Sequence, residues 1–176
     1  KSPNPFWLAS APPTNTGEQV MRAFDAGWGG AVWKTLGEPI VDTSSRFGAV
    51  ALGGVKMAGF NNIELITDRP LEVNLREIAL CKRRYPGHAL IVSLMVESRD
   101  DWREIIRRVE DTGADGLELN FGCPHGMCER GMGSAVGQEP KVNQEITSWV
   151  VEYSGVPVLV KLTPNVTSIV APARAA

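Results

Sequence analysis

Two lysines, an asparagine and a cysteine stand where this sequence is otherwise apolar or rich in glycine. Lys34 closes the run Ala31-Val32-Trp33, and Asn120 closes Gly116-Leu117-Glu118-Leu119. Lys161 interrupts Val158-Leu159-Val160 just before Leu162-Thr163-Pro164-Asn165. An ammonium group taken out of water is costly without an anionic partner. For either lysine alone a carboxylate such as Glu64 or Glu118 and a bound ligand are equally open as partner, whereas both together, each at a strand end, favour a bound anionic ligand. Cys123 follows Asn120 by three residues and opens a segment, 121–138, that holds Gly122, Gly126, Gly131, Gly133 and Gly137 with Met127 and Met132. An asparagine amide both donates and accepts hydrogen bonds. Glycine allows unusual backbone angles and close approach to a ligand, so the segment is expected to form a mobile lid.

Cys123, His125 and Cys128 also spell C-x-H-x2-C, so a metal site is weighed. Structural zinc takes four ligands. The remaining candidates, Cys81 and His88, show no paired-ligand spacing, so no metal is assigned. Three cysteines are too few for a cluster that normally takes four. Cys81 reads as a helix residue, Cys128 as a loop residue.

The elements that must position these groups alternate. Strands are expected near 6–10, 31–35, 89–95, 116–120 and 157–163. Helical spacing appears in Val20, Ala23, Phe24 and Gly27, in Leu71, Leu75, Ile78 and Ala79, in Trp102, Ile105, Ile106 and Val109, and in Ile146, Trp149, Val150 and Tyr153. Ser98 to Asp101 fits a capping box, and a last helix begins near Val170. Residues 36–69 read as a long loop with short strands. Strands alternating with helices imply a parallel sheet. The first strand is followed by Ala9-Ser10-Ala11-Pro12-Pro13 rather than by a GxGxxG turn, which removes the main support for a dinucleotide-binding doubly wound sheet. The α/β class that remains is a (β/α)8 barrel. Such barrels run to about 250 residues, so the 176 residues are expected to be the first five strands, one unit over 1–176 with the rest of the barrel absent. In a barrel, chemistry gathers at the carboxyl ends of the strands, where Lys34, Asn120 and Lys161 fall.

Composition excludes other classes. Net charge is −2, with 43% hydrophobic and 22% charged residues, which is ordinary globular composition. No polycation suggests nucleic acid, and no apolar run of about 18 residues suggests a membrane span. Three cysteines without a signal segment point to the cytoplasm rather than to a disulfide-stapled secreted domain.

Several segments, in order along the whole chain, resemble the flavin-binding barrel of the dihydropyrimidine dehydrogenases. They are Asn4-Pro5-Phe6, Ala9-Ser10-Ala11-Pro12-Pro13-Thr14, Ala26-Gly27-Trp28-Gly29-Gly30-Ala31-Val32-Trp33-Lys34-Thr35, Asn62-Ile63-Glu64-Leu65-Ile66, Gly113 to Asn120, Cys123-Pro124-His125-Gly126-Met127, Glu129-Arg130-Gly131-Met132-Gly133 and Lys161 to Thr167. Class 1 dihydroorotate dehydrogenases share the N-x-x-C-P and K-L-x-P-N segments. The resemblance implies FMN chemistry that reduces uracil or thymine to the 5,6-dihydropyrimidine, with hydride from reduced FMN and a proton from Cys123. It implies FMN contacts from Ala9, Ser10, Lys34, Thr35, Asn120 and Lys161. Pyrimidine contacts are implied from Asn62, Asn120, Phe121 and Gly122, with Glu64 nearby. It further implies an oligomer, and iron–sulfur clusters, FAD and NAD(P) carried on other segments or on an electron-delivering partner subunit. Gly122 stands where that family often has Ser, Cys128 where it often has Gly, and Val136 where some members have Cys. The alternatives are a dihydroorotate-oxidising flavin enzyme, a Schiff-base lyase using Lys161 and a non-catalytic zinc module on Cys123, His125 and Cys128.

Overall fold

Two helix starts in this chain are set by side chains that satisfy backbone N–H groups left over at a first turn. The Thr16 hydroxyl accepts from the Gln19 N–H, opening helix α1 (Gly17–Asp25). Ser98 and Asp101 form the expected reciprocal box at the start of helix α3 (Arg99–Glu110). The computed structural model describes residues 1–37, 47–60, 66–124 and 130–176, without the side chains of Phe47 and Phe60. In chain order the first half holds strand β1 (Trp7–Leu8), a 3-10 turn (Pro12–Thr14), α1, strands β2 (Gly30–Leu36), β3 (Phe47–Leu52) and β4 (Val55–Phe60), and helix α2 (Leu71–Arg84). Then follow β5 (Ala89–Leu94), α3, β6 (Gly116–Phe121), α4 (Ser134–Gln138), α5 (Pro140–Tyr153), β7 (Val158–Leu162) and α6 (Val170–Ala175).

Strands β1, β2, β5, β6 and β7 form one sheet in that order, every neighbour parallel. With helices in the crossovers this is a partial (β/α)8 barrel, and each expected strand is present. Period-2 alternation divides the sheet. Trp33, Leu36, Leu90, Val92, Leu94, Leu117, Leu119 and Phe121 are buried in one core with Phe24, Ile78, Ile106 and Val150 of the helices. The Trp33 indole N–H donates to Asn74 Oδ1 at 3.0 Å, and the Asn74 amide donates to the carbonyls of Arg69 and Pro70, so this core tryptophan also anchors the first turn of α2.

Two segments are more regular than expected. Within 36–69, β3 and β4 make a regular antiparallel hairpin, paired from Phe47↔Phe60 to Leu52↔Val55. Its turn is Gly53-Gly54, both at positive φ, the conformation a two-residue hairpin turn demands. Its strands lack the apolar/polar alternation that identifies a half-buried strand: Val50, Leu52, Val55 and Met57 share one face and are all exposed. Within 121–138, the last residues form a helix instead of an open lid. The glycines there serve close packing: a Cβ on Gly137 would lie 2.1 Å from the Phe121 carbonyl oxygen, and one on Gly133 2.4 Å from that of Cys123.

Candidate active site

Register places the polar groups. In β2 and β5, Trp33 pairs with Val92 and Leu36 with Leu94, so Lys34 and Thr35 together stand opposite the single residue Ser93. This bulge, uncommon in a parallel pair, brings two consecutive residues of β2 against one of its neighbour. Both are buried, Lys34 at 5% and Thr35 at 3% exposure. In β6 and β7, Asn120 pairs directly with Lys161. Ser10 follows β1 at the same end of the sheet.

These groups meet. The Thr35 hydroxyl lies 3.2 Å from the Ser10 hydroxyl and 3.0 Å from that of Ser93, and it accepts from Asn120 Nδ2 at 2.9 Å. Asn120 Oδ1 accepts from the N–H groups of Gly122 and Cys123, each at 3.2 Å. Lys161 Nζ donates to Glu118 Oε1 at 2.7 Å, so of the two expected partners for that lysine the structure supplies the carboxylate. The Ala9 carbonyl accepts from the Thr14 hydroxyl at 3.4 Å, fixing the turn that carries Ser10. Cys123 is half-buried against Ile66, Met95 and Met132, and its carbonyl accepts from the Ser134 N–H at 3.0 Å. The Phe121 side chain is withdrawn into the helix-facing core, which leaves only its backbone for the mouth. Asn62, Glu64, His125 and Cys128 lie outside the described residues.

Sequence reasoning passed over Ser93 and named Glu118 only as a possible counter-ion. Ser93 carried the same signal as Lys161: it is the one hydroxyl within the apolar strand Ala89–Leu94. The other described thiol, Cys81, is fully buried at the Gly17 carbonyl, and burial pushes its pKa up to about 11. A cavity of about 300 Å³ touches Met95 and Met132 but none of the polar mouth residues, so it is separate from this cluster.

Chemically, the described mouth is a set of donors. Two ammonium groups, the Ser10 hydroxyl and one Asn120 N–H suit a ligand rich in carbonyl or anionic oxygen, and a thiol sits on the adjoining loop.

A model of the family described as dihydroorotate dehydrogenase matches residues 2–176. The chain belongs to the dihydroorotate dehydrogenase family. It is 44% identical to the chloroplastic dihydropyrimidine dehydrogenase (NADP(+)) of Arabidopsis thaliana, over 99% of this chain and 43% of that protein. It is 42% identical to the NAD-dependent dihydropyrimidine dehydrogenase subunit PreA of Escherichia coli K12, over 94% of this chain and 40% of that one. Identity to the catalytic subunit of dihydroorotate dehydrogenase B (NAD(+)) of Pyrococcus horikoshii is 31%, over 94% of this chain and 51% of the relative. The chain thus spans about two fifths of the dihydropyrimidine dehydrogenases it matches. Among the described residues no helix is long and apolar enough to cross a membrane.

Proposed function

We propose that this chain forms part of an FMN-binding barrel that reduces uracil or thymine to the 5,6-dihydropyrimidine. The observation that carries the reading is the convergence of Ser10, Thr35, Asn120 and Lys161 at one end of the sheet, with Cys123 tied to that cluster through Asn120. The donor set fits the carbonyl-rich pyrimidine edge of a flavin, and Ala9, Ser10, Lys34, Thr35, Asn120 and Lys161 would hold it. When bound and reduced, FMN would supply hydride to C6 of the substrate pyrimidine. Cys123 gives its thiol proton to C5, so one hydride and one proton add across the C5–C6 bond; in reverse, its thiolate removes that proton. Lys161 would place positive charge beside the bound cofactor and so favour its negatively charged reduced form, an electrostatic contribution to the step. Asn62, Asn120 and the 121–122 backbone contact the pyrimidine, with Glu64 nearby.

The electrons come from a partner subunit or further domain bearing iron–sulfur clusters, FAD and an NAD(P) site. The word "subunit" in the name of the Escherichia coli relative supports a partner. Oxidation of dihydroorotate is the second reading, favoured by the description of the family model. Product analysis of the full-length protein, supplied with its electron partner and given uracil, thymine or dihydroorotate, separates the two. Dihydrouracil and dihydrothymine are expected. Orotate as the only product would replace the first reading with the second, and no flavin-dependent turnover of any of the three would end both.

A further inference from the structure

We propose that Ser93 and Thr35 are positioning residues for the proposed reaction: their linked hydroxyls hold the Asn120 amide in one orientation, and that amide holds the backbone of Cys123. The proposal rests on the functional reading above. A hydroxyl has one donor and two acceptor sites. Thr35 Oγ1 meets Asn120 Nδ2, Ser93 and Ser10 at 2.9, 3.0 and 3.2 Å, so all three sites are in use. Asn120 fills one acceptor site; of the two serines, one donates to Thr35 and the other accepts from it. The amide orientation of Asn120 then has no freedom. Its two ends face a hydroxyl on one side and two backbone N–H groups on the other, and only the oxygen can accept from the latter.

Two consequences follow from this count. Both lone pairs of Asn120 Oδ1 are spent on Gly122 and Cys123, so toward a ligand Asn120 is a donor only, through the second Nδ2 hydrogen, which has no partner among the described residues. And the loop carrying the proton donor is anchored at its base by a side chain whose own support is Thr35. Ser93 is fully buried, and among the described residues the Thr35 hydroxyl is its one side-chain partner. It acts on the site only through Thr35. The β2 bulge is what brings Thr35 to it.

The test uses the full-length, flavin-loaded enzyme with its electron partner and the variants Ser93→Ala, Thr35→Val and Thr35→Ser. Two quantities are read: kcat and KM for uracil, and the rate at which iodoacetamide alkylates Cys123 in the resting enzyme, followed by peptide mass spectrometry. Ser93→Ala removes one neutral hydrogen bond and should lower kcat about three- to tenfold with KM little changed. Thr35→Val strands the Asn120 amide and should cost roughly ten- to a hundredfold. Thr35→Ser keeps the hydroxyl and should recover most of that loss. Alkylation should accelerate about threefold or more in Ser93→Ala and Thr35→Val, as the loop base loosens, and not in Thr35→Ser. Unchanged alkylation in both hydroxyl-deleting variants, or a Thr35→Ser enzyme as impaired as Thr35→Val, would overturn the proposal. If the enzyme turns over no pyrimidine at all, the functional reading fails, while the alkylation series still decides whether this relay positions Cys123.

Discussion

Leu119 and Asn120 are neighbours in β6, yet they belong to different regions of the molecule. Leu119 is fully buried among helix-facing apolar side chains, and Asn120 is buried among hydroxyls at the carboxyl ends of the strands. The same division separates Leu94 from Ser93 in β5. One region gains stability from area and fit, which are non-directional. The other is built from directional groups whose capacities are nearly all committed. Burial alone therefore does not separate the core from the mouth here; the chemistry of what is buried does.

The largest expected effect falls on the polar region. In the intact enzyme, Cys123→Ala should slow pyrimidine reduction about 10²–10⁴-fold, the usual contribution of a positioned general acid, while flavin stays bound. Cys128→Ala, to which no proton transfer is assigned, is the control. Turnover and flavin content measured on both variants decide the point, and near-normal turnover in Cys123→Ala would erase the functional side of the contrast.

Leu119→Ala, one residue from Asn120, tests the other side. It should destabilise the fold by about 2–5 kcal/mol, through lost transfer free energy and the cavity left behind. Urea unfolding midpoints give the value. A kcat change far larger than the stability loss explains would show that the two regions are not separable.

Lys161→Met sits on the boundary between them. It removes a charge from the mouth and leaves the Glu118 carboxylate, 8% exposed, without its ion-pair partner. Loss of a charged hydrogen bond is worth about 1.5–3 kcal/mol. Weaker flavin binding or a less favourable flavin reduction is expected, measured by cofactor titration and redox potentiometry. If neither quantity moves, Lys161 belongs to the structural ion pair alone.

The smallest effect concerns a polar cluster away from the mouth. Arg69 makes a two-pronged contact to Glu77, whose carboxylate also accepts from the Gly17 N–H at 2.7 Å, tying the approach to α2 to the start of α1. The Arg69 hydrogen bond holds Glu77 below its ordinary value of 4.5. A depressed carboxylate stabilises the fold fully above the unfolded-state pKa and loses that contribution as pH falls through the folded one. Stability should therefore decline below about pH 4.5, with a shallower decline in Glu77→Gln. Thermal midpoints across pH 3–6 for both proteins check this, and parallel profiles would show that the contact contributes nothing; since Glu77 is part-exposed, the difference is modest.

Much of this was legible along the chain because it depends on short-range periodicity. Apolar runs and i, i+3, i+4 spacing mark five parallel strands and their helices, and the Ser98–Asp101 box marks one helix start. Lys34, Asn120 and Lys161 stood out as polar residues closing or interrupting apolar strands. The β3–β4 hairpin was not legible, because its exposed apolar face lacks the alternation that burial of a single face imposes. Helix α4 was hidden by glycines that read as lid residues, whereas Gly133 and Gly137 answer to carbonyls of residues far enough back in the chain that only packing brings them close. The strand register is a further property of this kind: whether Thr35 faces Ser93 depends on one extra residue in β2 relative to β5, and no local pattern encodes a bulge between strands more than fifty residues apart. That Glu118 is the carboxylate Lys161 reaches was likewise decided by inter-strand geometry. A side chain's type limits what it can bond to; which partner it meets is decided by the tertiary packing that sets distance and direction.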